Sequence, residues 1–309
     1  MQYPLVSVII PNYNHARFLI ERIDSVLNQS YKNFEIIVLD DKSTDNSVEI
    51  IMKYSNNKHV SQIVINDENS GSPFLQWQKG FKLAKGELVW IAESDDYCEK
   101  NFLENLVSEF NKDNNCVLAF CKSLKVDTKG NIICKEGPHH SFHMDGIQFV
   151  KKNLSRQNYI SNASSAIFKK DVLDKIDLSF TTYRGCGDWI LWVEICRHGN
   201  LAYNDMPLNY FRIHGDNITT QQAFSGKNEI EGVRVYEFMR KKSYIGYKEE
   251  LRARISHIYS VIYGKQHFFY SLETRNKIIK AWKVTPFIRL IIWTVHIIQS
   301  HYNVQIIRR

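Results

Sequence analysis

The sequence predicts an α/β fold, with a mostly parallel sheet flanked by helices and a helical extension at the carboxyl end. The front of the chain alternates apolar, β-branched runs with stretches whose apolar residues recur at helical spacing. Strands that are apolar on both faces are typical of parallel sheets that helices cover on both sides. From residue 226 onward the pattern is helical.

Strands and helices are predicted to alternate through the front of the chain. The second helix is expected to start with a capping box, because Asn46 can accept a backbone hydrogen bond and Glu49 lies three residues later. In order, the predicted elements are strand 6–10, helix 17–28, strand 34–39, a helix from 46, strand 63–65, helix 75–84, strand 88–92, helix 102–110 and strand 117–120.

The alternation fades after residue 122. Residues 125–143 predict a hairpin or an irregular excursion around a turn at 127–130, and a helix is predicted from Asp188 to His198. We therefore predict one large domain over residues 1–222, with a change of character at 122, and a helical basic region over residues 223–309.

Charge is distributed unevenly along the chain. The net charge is +7, but residues 225–309 hold 16 Lys and Arg against 6 Asp and Glu, whereas the preceding part holds 24 against 27. A nucleic-acid binder would suit the basic tail but not the acidic front, so no nucleic-acid partner is predicted. Hydrophobic residues at 44% and charged residues at 24% disfavour a disordered chain and a polytopic membrane protein.

The cysteines and histidines outside the acidic segments predict no special chemistry. Six cysteines without a CxxC pair indicate reduced thiols, and the absence of a signal-peptide pattern in residues 1–4 favours a cytoplasmic protein. His139, His140 and His143 lack the regular spacing of a zinc site, so a solvated loop is preferred there.

Asp95 and Asp96 directly follow the predicted strand 88–92, with Glu93 just before them. Adjacent carboxylates repel and raise each other's pKa unless a cation is shared between them. Hard oxygen ligands suit Mg²⁺ or Mn²⁺, which commonly take further ligands from substrate phosphates. The alternative is a solvated turn whose acids cap the next helix.

Polar residues also end the first two strands. Asp40 and Asp41 follow one strand, and the segment 11–14 follows the other. Carboxyl ends of parallel strands meet at one edge of a sheet, so these groups could bind a base and a ribose. Ordinary turn chemistry is the alternative, since Asn and Asp favour turns.

Together these segments resemble the opening of family 2 glycosyltransferases, which have the GT-A fold, a Rossmann-like sheet flanked by helices. The resemblance covers about residues 4–220, and it implies a nucleotide-sugar half at about 1–122 and an acceptor half at about 123–222. The matching segments are VSVIIPNYN at 6–14, SVLNQSY at 25–31, EIIVLDDKSTD at 35–45, KGE at 85–87 and ESDD at 93–96.

The resemblance implies a nucleotide site. Pro11, Tyr13 and Asp41 would face the nucleobase, with Asp41 accepting a hydrogen bond from a uracil-type ring. Asn14 belongs to the same group, and Asp95 would contact the ribose or the metal. The implied donor is a UDP-sugar.

The resemblance also implies a metal site for Mn²⁺ or Mg²⁺. Asp96 would hold the metal together with Asp95. Arg212 and His214 resemble the late RxH element of the family, near the diphosphate, and His214 joins the implied metal ligands. Glu93 stands where the family usually has Asp, which keeps the charge on a longer side chain and makes Glu93 an auxiliary candidate.

Asp188 resembles the Asp of the family's ED motif, which is the general base. An acceptor hydroxyl is a poor nucleophile, so a carboxylate must take its proton as the new bond forms, and direct displacement inverts the anomeric centre. The alternative is that Asp188 only caps the following helix. Gly187 stands where the family has Glu, so any supporting role of that carboxylate is absent or supplied elsewhere.

Three further positions are auxiliary candidates. Gln76 and Trp77 lie where the family more often has Arg and Asn, which changes the donor contacts expected there. Asp40 precedes the implied base-binding Asp41.

We expect an inverting, metal-dependent transferase that moves a sugar onto a glycan or a lipid-linked oligosaccharide in surface polysaccharide synthesis. One alternative is a sugar-binding or scaffold protein that keeps the fold without turnover. Another is a nucleotidyltransferase, but residues 11–15 lack the Gly-rich loop expected to cradle a triphosphate.

The apolar segment 286–298 is too short to span a bilayer, which needs about 20 residues. With its basic flanks it could lie on the cytoplasmic face of a membrane, as a peripheral contact. The alternative, given equal weight, is a helix packed on the catalytic domain with a basic outer face.

Overall fold

The structure of the protein, a computed structural model, describes residues 3–160, 162–215, 225–264 and 270–302. Within these ranges ten strands form one sheet. The strands are β1 Val6–Asn12, β2 Phe34–Asp40, β3 Val60–Ile65, β4 Leu88–Ile91, β5 Tyr97–Cys98, β6 Cys116–Val126, β7 Ile132–Glu136, β8 Phe142–Asp145, β9 Ala166–Lys169 and β10 Asn200–Arg212.

Helices connect the front strands and make up the carboxyl-terminal region. Short 3₁₀ turns at Ala163–Ser165, Lys170–Lys175 and Leu178–Thr182, and a π turn at Val150–Leu154, accompany them. The α-helices of the described residues are α1 Ala16–Leu27, α2 Ser47–Met52, α3 Pro73–Leu83, α4 Phe102–Lys112, α5 Gly146–Phe149, α6 Gly187–Cys196, α7 Lys227–Lys241, α8 Tyr247–Ile262, α9 Leu272–Ala281 and α10 Pro286–Tyr302.

The sheet has the order β3-β2-β1-β4-β9-β6-β10-β5, with β7 beside β6 and β8 beside β10. β1 pairs in parallel with β2 and β4, and β2 pairs in parallel with β3. β9 runs antiparallel between β4 and β6. The α/β class is confirmed. Parallel pairing holds for the four front strands, whereas the later part is mixed because a hairpin and antiparallel returns replace helical crossovers there.

Helices bury both faces of the front strands, which explains their uninterrupted apolar sequence. Every residue of β1 and β2 is buried. Val8 and Ile10 lie in a core cluster with residues of α1 and α4. Ile9 points to the other face, where its side chain meets Gly80 of α3. The predicted two-sided covering of the sheet is therefore confirmed.

The capping box predicted for α2 is wrong. Asn46 precedes the helix but makes no side-chain hydrogen bond to it. Asp45 takes that role, since its Oδ1 accepts from the backbone N–H of Ser47 at 3.0 Å and its Oδ2 from that of Ala16 at 2.9 Å. One carboxylate therefore ties the starts of α1 and α2 together.

The irregular region after residue 122 is the predicted hairpin. β6 and β7 pair antiparallel, and Asp127 Oδ1 accepts from the backbone N–H groups of Lys129 at 2.8 Å and Asn131 at 2.9 Å. The change of character predicted at 122 falls inside β6, so the sheet continues through it. The six cysteines are free thiols, as predicted.

The Cα positions separate the chain into two compact units, residues 1–147 with 160–214 and residues 148–159 with 215–309. In the second unit the Trp282 indole donates to the Glu229 carbonyl at 2.9 Å and stacks on the His257 ring at 4.9 Å. The division predicted at residue 222 lies outside the described residues and stays a prediction.

Among the described residues, no helix by itself has the length and hydropathy of a membrane span. α9 and α10 meet those criteria only as a pair, bent by 119° at the break between them.

We predict that Gly80→Ala destabilises the protein although alanine favours helices by about 1 kcal/mol over glycine. A Cβ at Gly80 would lie 2.5 Å from Cγ2 of Ile9, so α3 would have to move away from β1. Overpacking of this kind costs about 1–3 kcal/mol. The free energy of unfolding, measured in urea, is expected to fall.

Gly232→Ala in α7 is the matched control. Its nearest neighbour beyond the helix backbone would be Cζ2 of Trp282 at 3.9 Å, an ordinary contact. We expect unchanged stability or a gain of up to about 1 kcal/mol. Equal losses at both glycines would contradict close packing of α3 on β1.

Candidate active site

The loops that follow β1 and β2 are joined by hydrogen bonds at the carboxyl edge of the sheet. Asn14 has a left-handed backbone with φ of 56°, and its Oδ1 accepts from the backbone N–H of Thr44 at 2.7 Å. Its own N–H donates to the Ser43 hydroxyl at 2.9 Å. Asn14, predicted to bind nucleotide, thus holds the two loops together in this structure.

Asp40 is fully buried and occupied by hydrogen bonds within the protein. Its Oδ2 accepts from Asn12 Nδ2 at 2.8 Å and from the Ser43 hydroxyl at 2.7 Å, and its Oδ1 accepts from the Ser43 N–H at 2.8 Å. A buried carboxylate with these donors fixes the loop that follows β2. Asp40 is therefore a positioning residue in this structure.

Asp41, predicted to face a nucleobase, anchors the loop that precedes α3. Its Oδ1 accepts from Asn66 Nδ2 at 2.7 Å, the Ser70 N–H at 2.9 Å and Gln76 Nε2 at 2.8 Å. Within the described part of the chain, its Oδ2 accepts only the Ser70 hydroxyl, at 2.7 Å. Because Oδ1 has three donors and Oδ2 one, Oδ2 keeps capacity for a further donor. Gln76 acts here by orienting Asp41.

The other residues predicted to face the base differ in exposure. Tyr13, which follows β1, is 46% exposed, whereas Pro11 within that strand is buried. An exposed aromatic ring at the edge of the sheet can stack on a planar ligand. Pro11 contributes to the site by fixing the path of the β1 backbone.

The acidic segment begins with Glu93, two residues beyond the end of β4. Its Oε1 accepts from the Trp77 indole N–H at 2.9 Å. Burial, with the charges of Asp95 and Asp96, raises the pKa of Glu93 to about 8. Trp77 therefore donates to the first acid of the segment, and Glu93 binds a proton at neutral pH.

Asp96 is buried and accepts three hydrogen bonds from protein donors. Its Oδ2 accepts from Asn162 Nδ2 at 2.9 Å and the Ser164 hydroxyl at 2.7 Å, and its Oδ1 accepts from the Arg212 N–H at 2.9 Å. Burial and the charge of Asp95 raise the pKa of Asp96 to about 6. This arrangement joins the turn before β9 and strand β10 to the acidic segment. That Asp96 holds a metal stays a prediction.

Asp95 lies in a group with two histidines. Its Oδ2 is 2.9 Å from His214 Nε2, and ligand atoms of His15, Asp95 and His214 all lie within 4.8 Å of one another. His15 Nδ1 is 2.8 Å from the Ser94 hydroxyl. The sequence predicts Asp95 and His214 in one set, and the structure brings them together.

The charge state of this group suits a cation. Burial raises the pKa of Asp95, but the hydrogen bond from His214 and the nearby imidazoles outweigh it, so its pKa lies below the usual range. Burial lowers the pKa of His15, which favours a neutral imidazole whose unprotonated nitrogen can bind a metal. Two ligands on adjacent octahedral positions at about 2.1 Å from an ion are about 3 Å apart, which matches the Asp95–His214 distance.

The proton on His214 can be assigned from its second partner. Arg17 Nη2 is 3.3 Å from His214 Nδ1. A guanidinium only donates, so Nδ1 accepts and Nε2–H donates to Asp95. A metal at Nε2 would therefore replace that proton and leave the imidazole in place.

Arg212 braces the acidic segment from β10. Its Nε donates to the Asp95 carbonyl at 2.8 Å, and its guanidinium pairs with Glu21. The guanidinium carbon lies 4.5 Å from the ring centre of Phe18 and 5.1 Å from that of Tyr97. Arg212 is 2% exposed and held by the protein, and its place near a diphosphate stays a prediction.

Asp188 lies in the first turn of α6 and is partly buried, and its Oδ1 accepts from the N–H of Trp189 at 2.7 Å. Gly187, before it, has no room for a side chain. A Cβ there would lie 2.5 Å from the Phe180 carbonyl and 2.6 Å from Cε2 of Phe74. Phe74 thus takes the volume in which the family's Glu would stand.

The departures from the family pattern are connected. The Phe74 ring, next to Gly187, packs edge-on against Trp77 with centres 4.9 Å apart, and Trp77 donates to Glu93. The missing carboxylate at 187, the aromatic residue at 77 and the longer acid at 93 therefore belong to one packed arrangement.

Sequence reasoning missed several contributors to the acidic site, among them His15, Arg22 and Ser164. His15 follows the PNYN segment directly, and that position was the available signal. Arg22 is fully buried in α1, donates from Nε to the Glu93 carbonyl at 2.8 Å and counters the charge of Asp96. Its charge in an otherwise apolar helix face was a signal. Ser164 had none, because only the course of the chain brings it to Asp96.

Residues 7–177 match the family model for Glycosyl transferase family 2. This segment is more than half of the chain. The chain belongs to glycosyl transferase family 2. The predicted family resemblance is confirmed, and with it the class of transferase.

Individual family members match over parts of their length. Glycosyltransferase GlyG of Streptococcus pneumoniae serotype 4 is 38% identical over 105 residues, which cover 34% of this chain and 35% of GlyG. Poly(ribitol-phosphate) beta-N-acetylglucosaminyltransferase TarP of Staphylococcus aureus strain N315 is 34% identical over 188 residues, 58% of this chain and 53% of TarP. The match thus spans about a third of GlyG and about half of TarP.

The fold is shared with TarS of S. aureus. The crystal structure of TarS residues 1–349 in complex with UDP-GlcNAc superposes with a TM-score of 0.65 at 18% identity, covering 89% of this chain and 79% of that chain. Without the ligand the TM-score is 0.63. The predicted GT-A fold of this family member is confirmed.

We predict that Glu93→Gln removes a pH dependence of stability in the metal-free protein. The folded pKa of Glu93 is raised to about 8 from 4.5, so its contribution to stability is present at low pH and is lost as the pH rises through this window. The loss approaches about 1.4 kcal/mol per pH unit.

The check is urea unfolding of both proteins in a chelator. The variant should gain stability over the wild type progressively from pH 5 to pH 8. Gln keeps an oxygen that can accept from the Trp77 indole. A stability difference that is constant over this range would contradict a buried, protonated Glu93.

Proposed function

We propose that this family member transfers a sugar from a UDP-sugar to an acceptor hydroxyl with inversion of the anomeric centre. The observation that carries the proposal is the buried Asp95–His214 pair, with His15 beside it, at the carboxyl edge of a GT-A sheet. The UDP-GlcNAc complex of TarS supports a nucleotide-sugar donor.

A divalent metal fits the residues present. Asp95, His214 and His15 would hold it, and the 2.9 Å separation of the first two leaves little rearrangement to make. Two imidazoles suit Mn²⁺ better than Mg²⁺, which prefers oxygen ligands alone, so we propose Mn²⁺. When bound, the ion supplies positive charge for the departing diphosphate. Asp96 would hold the acidic segment in place through its hydrogen bonds to the protein.

The nucleoside is proposed to bind where the loops after β1 and β2 meet. Asp41 has its Oδ2 open to one further donor, as a uracil N–H would supply, while Asn66, Ser70 and Gln76 fix its Oδ1. Tyr13 offers the exposed ring for stacking. The bound base would thus donate a hydrogen bond to the Asp41 carboxylate, whose orientation the protein already fixes.

Asp188 is proposed as the general base. Its place in the first turn of α6 lowers the cost of its negative charge, because the helix amino terminus carries partial positive charge. A carboxylate within hydrogen-bond reach of the acceptor takes the hydroxyl proton as oxygen attacks the anomeric carbon. Attack opposite the leaving diphosphate gives the inverted product.

The acceptor is proposed to be a glycan or a lipid-linked oligosaccharide of a surface polysaccharide. The names of TarP and of the putative teichuronic acid biosynthesis glycosyltransferase TuaG, which is 26% identical over 72% of this chain, support this class. Residues 123–222 are the proposed acceptor half, and the cytoplasm is the proposed location.

A fold without turnover is the second candidate, and Gly187 is the observation that favours it. The supporting carboxylate is replaced by the Phe74 ring, so Asp188 works without that neighbour or does not work at all. Sugar transfer that depends on Asp188 would decide in favour of the enzyme.

We predict that Asp95→Asn weakens Mn²⁺ binding by at least about tenfold, because it removes the charged ligand of the group. Mn²⁺ binding, measured by the electron paramagnetic resonance signal of the free ion, should weaken also in His214→Gln. Asp174→Asn, which removes one exposed negative charge in the same unit, is the control and should bind as the wild type does. Unchanged affinity in Asp95→Asn would contradict the site.

We predict that Asp188→Asn keeps UDP-GlcNAc binding in calorimetry but lowers sugar transfer by about 10²–10⁴-fold. Asn retains an oxygen that can accept from the Trp189 N–H, so the helix start is preserved. Transfer is read as UDP release, with a panel of UDP-sugars and glycan acceptors. A donor that the wild type and the variant turn over equally would rule out Asp188 as the base.

A further inference from the structure

Helix α10 carries an apolar stripe on its solvent side. The members of the stripe recur at helical spacing and point to one face, which holds no charged residue. They are Phe287, Leu290, Trp293, Ile297 and Ile298, which are 67%, 57%, 52%, 46% and 37% exposed.

The opposite face of α10 is already packed within its own unit. Ile288 and Ile292 are buried. The His296 ring stacks on Tyr263 with centres 3.9 Å apart and nearly parallel planes. Since this face is occupied, α10 cannot turn its apolar stripe inward, and among the residues that the structure describes the stripe stays exposed.

Two basic residues of the same unit, Arg289 in α10 and Lys280 in α9, lack an acidic partner among the described residues. Lys280 and Arg289 are exposed and have no carboxylate within 4.0 Å among the described residues. Lys277, by contrast, pairs with Glu273 at 2.6 Å. Basic residues outnumber acidic ones throughout this part of the sequence, since residues 225–309 hold 16 basic against 6 acidic residues.

We propose that the apolar stripe of α10 docks on an anionic lipid surface, with the helix lying in the plane of the membrane interface. Exposed Trp and Phe beside basic residues are typical of interfacial helices. The 17 residues of α10 extend about 26 Å, and one face is packed on protein, so the helix lies on the bilayer instead of crossing it.

Charge favours an anionic lipid surface over a second copy of the chain as the partner of the apolar stripe. Pairing two stripes would bring two strongly basic regions together, and their repulsion opposes association. An anionic surface instead attracts Lys280 and Arg289 while it buries the apolar side chains. This inference does not rest on sugar transfer, because it concerns a different unit of the chain.

Trp293 makes the contact directly measurable. It is the exposed tryptophan among six, since Trp77, Trp90, Trp189, Trp192 and Trp282 are each 5% exposed or less. Quenching by acrylamide therefore reports on Trp293. Vesicles of phosphatidylcholine mixed with phosphatidylglycerol should protect it and sediment the protein, whereas phosphatidylcholine alone should do so weakly, and salt should reverse the binding.

Variants separate the two contributions. Leu290→Gln with Ile297→Gln should lower partitioning into the anionic vesicles by about tenfold or more, because two apolar side chains no longer enter the lipid. Lys280→Gln with Arg289→Gln should lower it by about tenfold on the anionic vesicles only. All four positions are exposed, so the fold should persist. Met52→Gln with Ile133→Gln, 50% and 60% exposed in the other unit, is the control and should bind as the wild type does.

Two results would overturn the proposal. One is vesicle binding that the stripe variants leave unchanged. The other is concentration-dependent self-association in sedimentation velocity that the stripe variants abolish, without any vesicle binding, which would make a second copy the partner. UDP-GlcNAc binding, measured in parallel, distinguishes either result from a failure of the proposed sugar transfer.

Discussion

Three carboxylates within four residues, at the end of a buried strand, set the constraint on which the site depends. Like charges in a poorly solvated place cannot all stay ionised without compensation. Burial and mutual repulsion raise the pKa of Glu93 to about 8 and that of Asp96 to about 6, while the hydrogen bond from His214 helps to keep the pKa of Asp95 low. The protein thus gives each acid its own environment, and Asp95 is the one whose pKa is lowered.

This division of roles explains the surrounding packing. Asp96 takes donors from β10 and from the turn before β9, so the acidic segment is fixed to the second half of the sheet. Glu93 takes the Trp77 indole, and Trp77 packs on Phe74, which fills the space beside Gly187. Substitutions that look independent in the sequence are therefore parts of one interface between α3, α6 and β4.

The sequence predicts the front of the molecule well because its signals are local. Apolar runs, helical spacing and the ordered family segments yield the strands, the GT-A class and the edge at which Asp41 and Asp95 lie. It fails where contacts come from distant parts of the chain. Nothing local shows that Asp96 would accept hydrogen bonds from Asn162, Ser164 and Arg212, because 66 or more residues separate it from each of these donors. Nor does anything local show that His15 would join Asp95.

Asp95, and not Asp96, is the proposed metal ligand of the acidic segment. Anomalous diffraction from crystals grown with Mn²⁺ and UDP tests it most directly. The account predicts a manganese peak within bonding distance of the Asp95 carboxylate and His214 Nε2, with the hydrogen bonds of Asp96 preserved. A peak bound through Asp96, or an ion lodged away from both side chains, would contradict it.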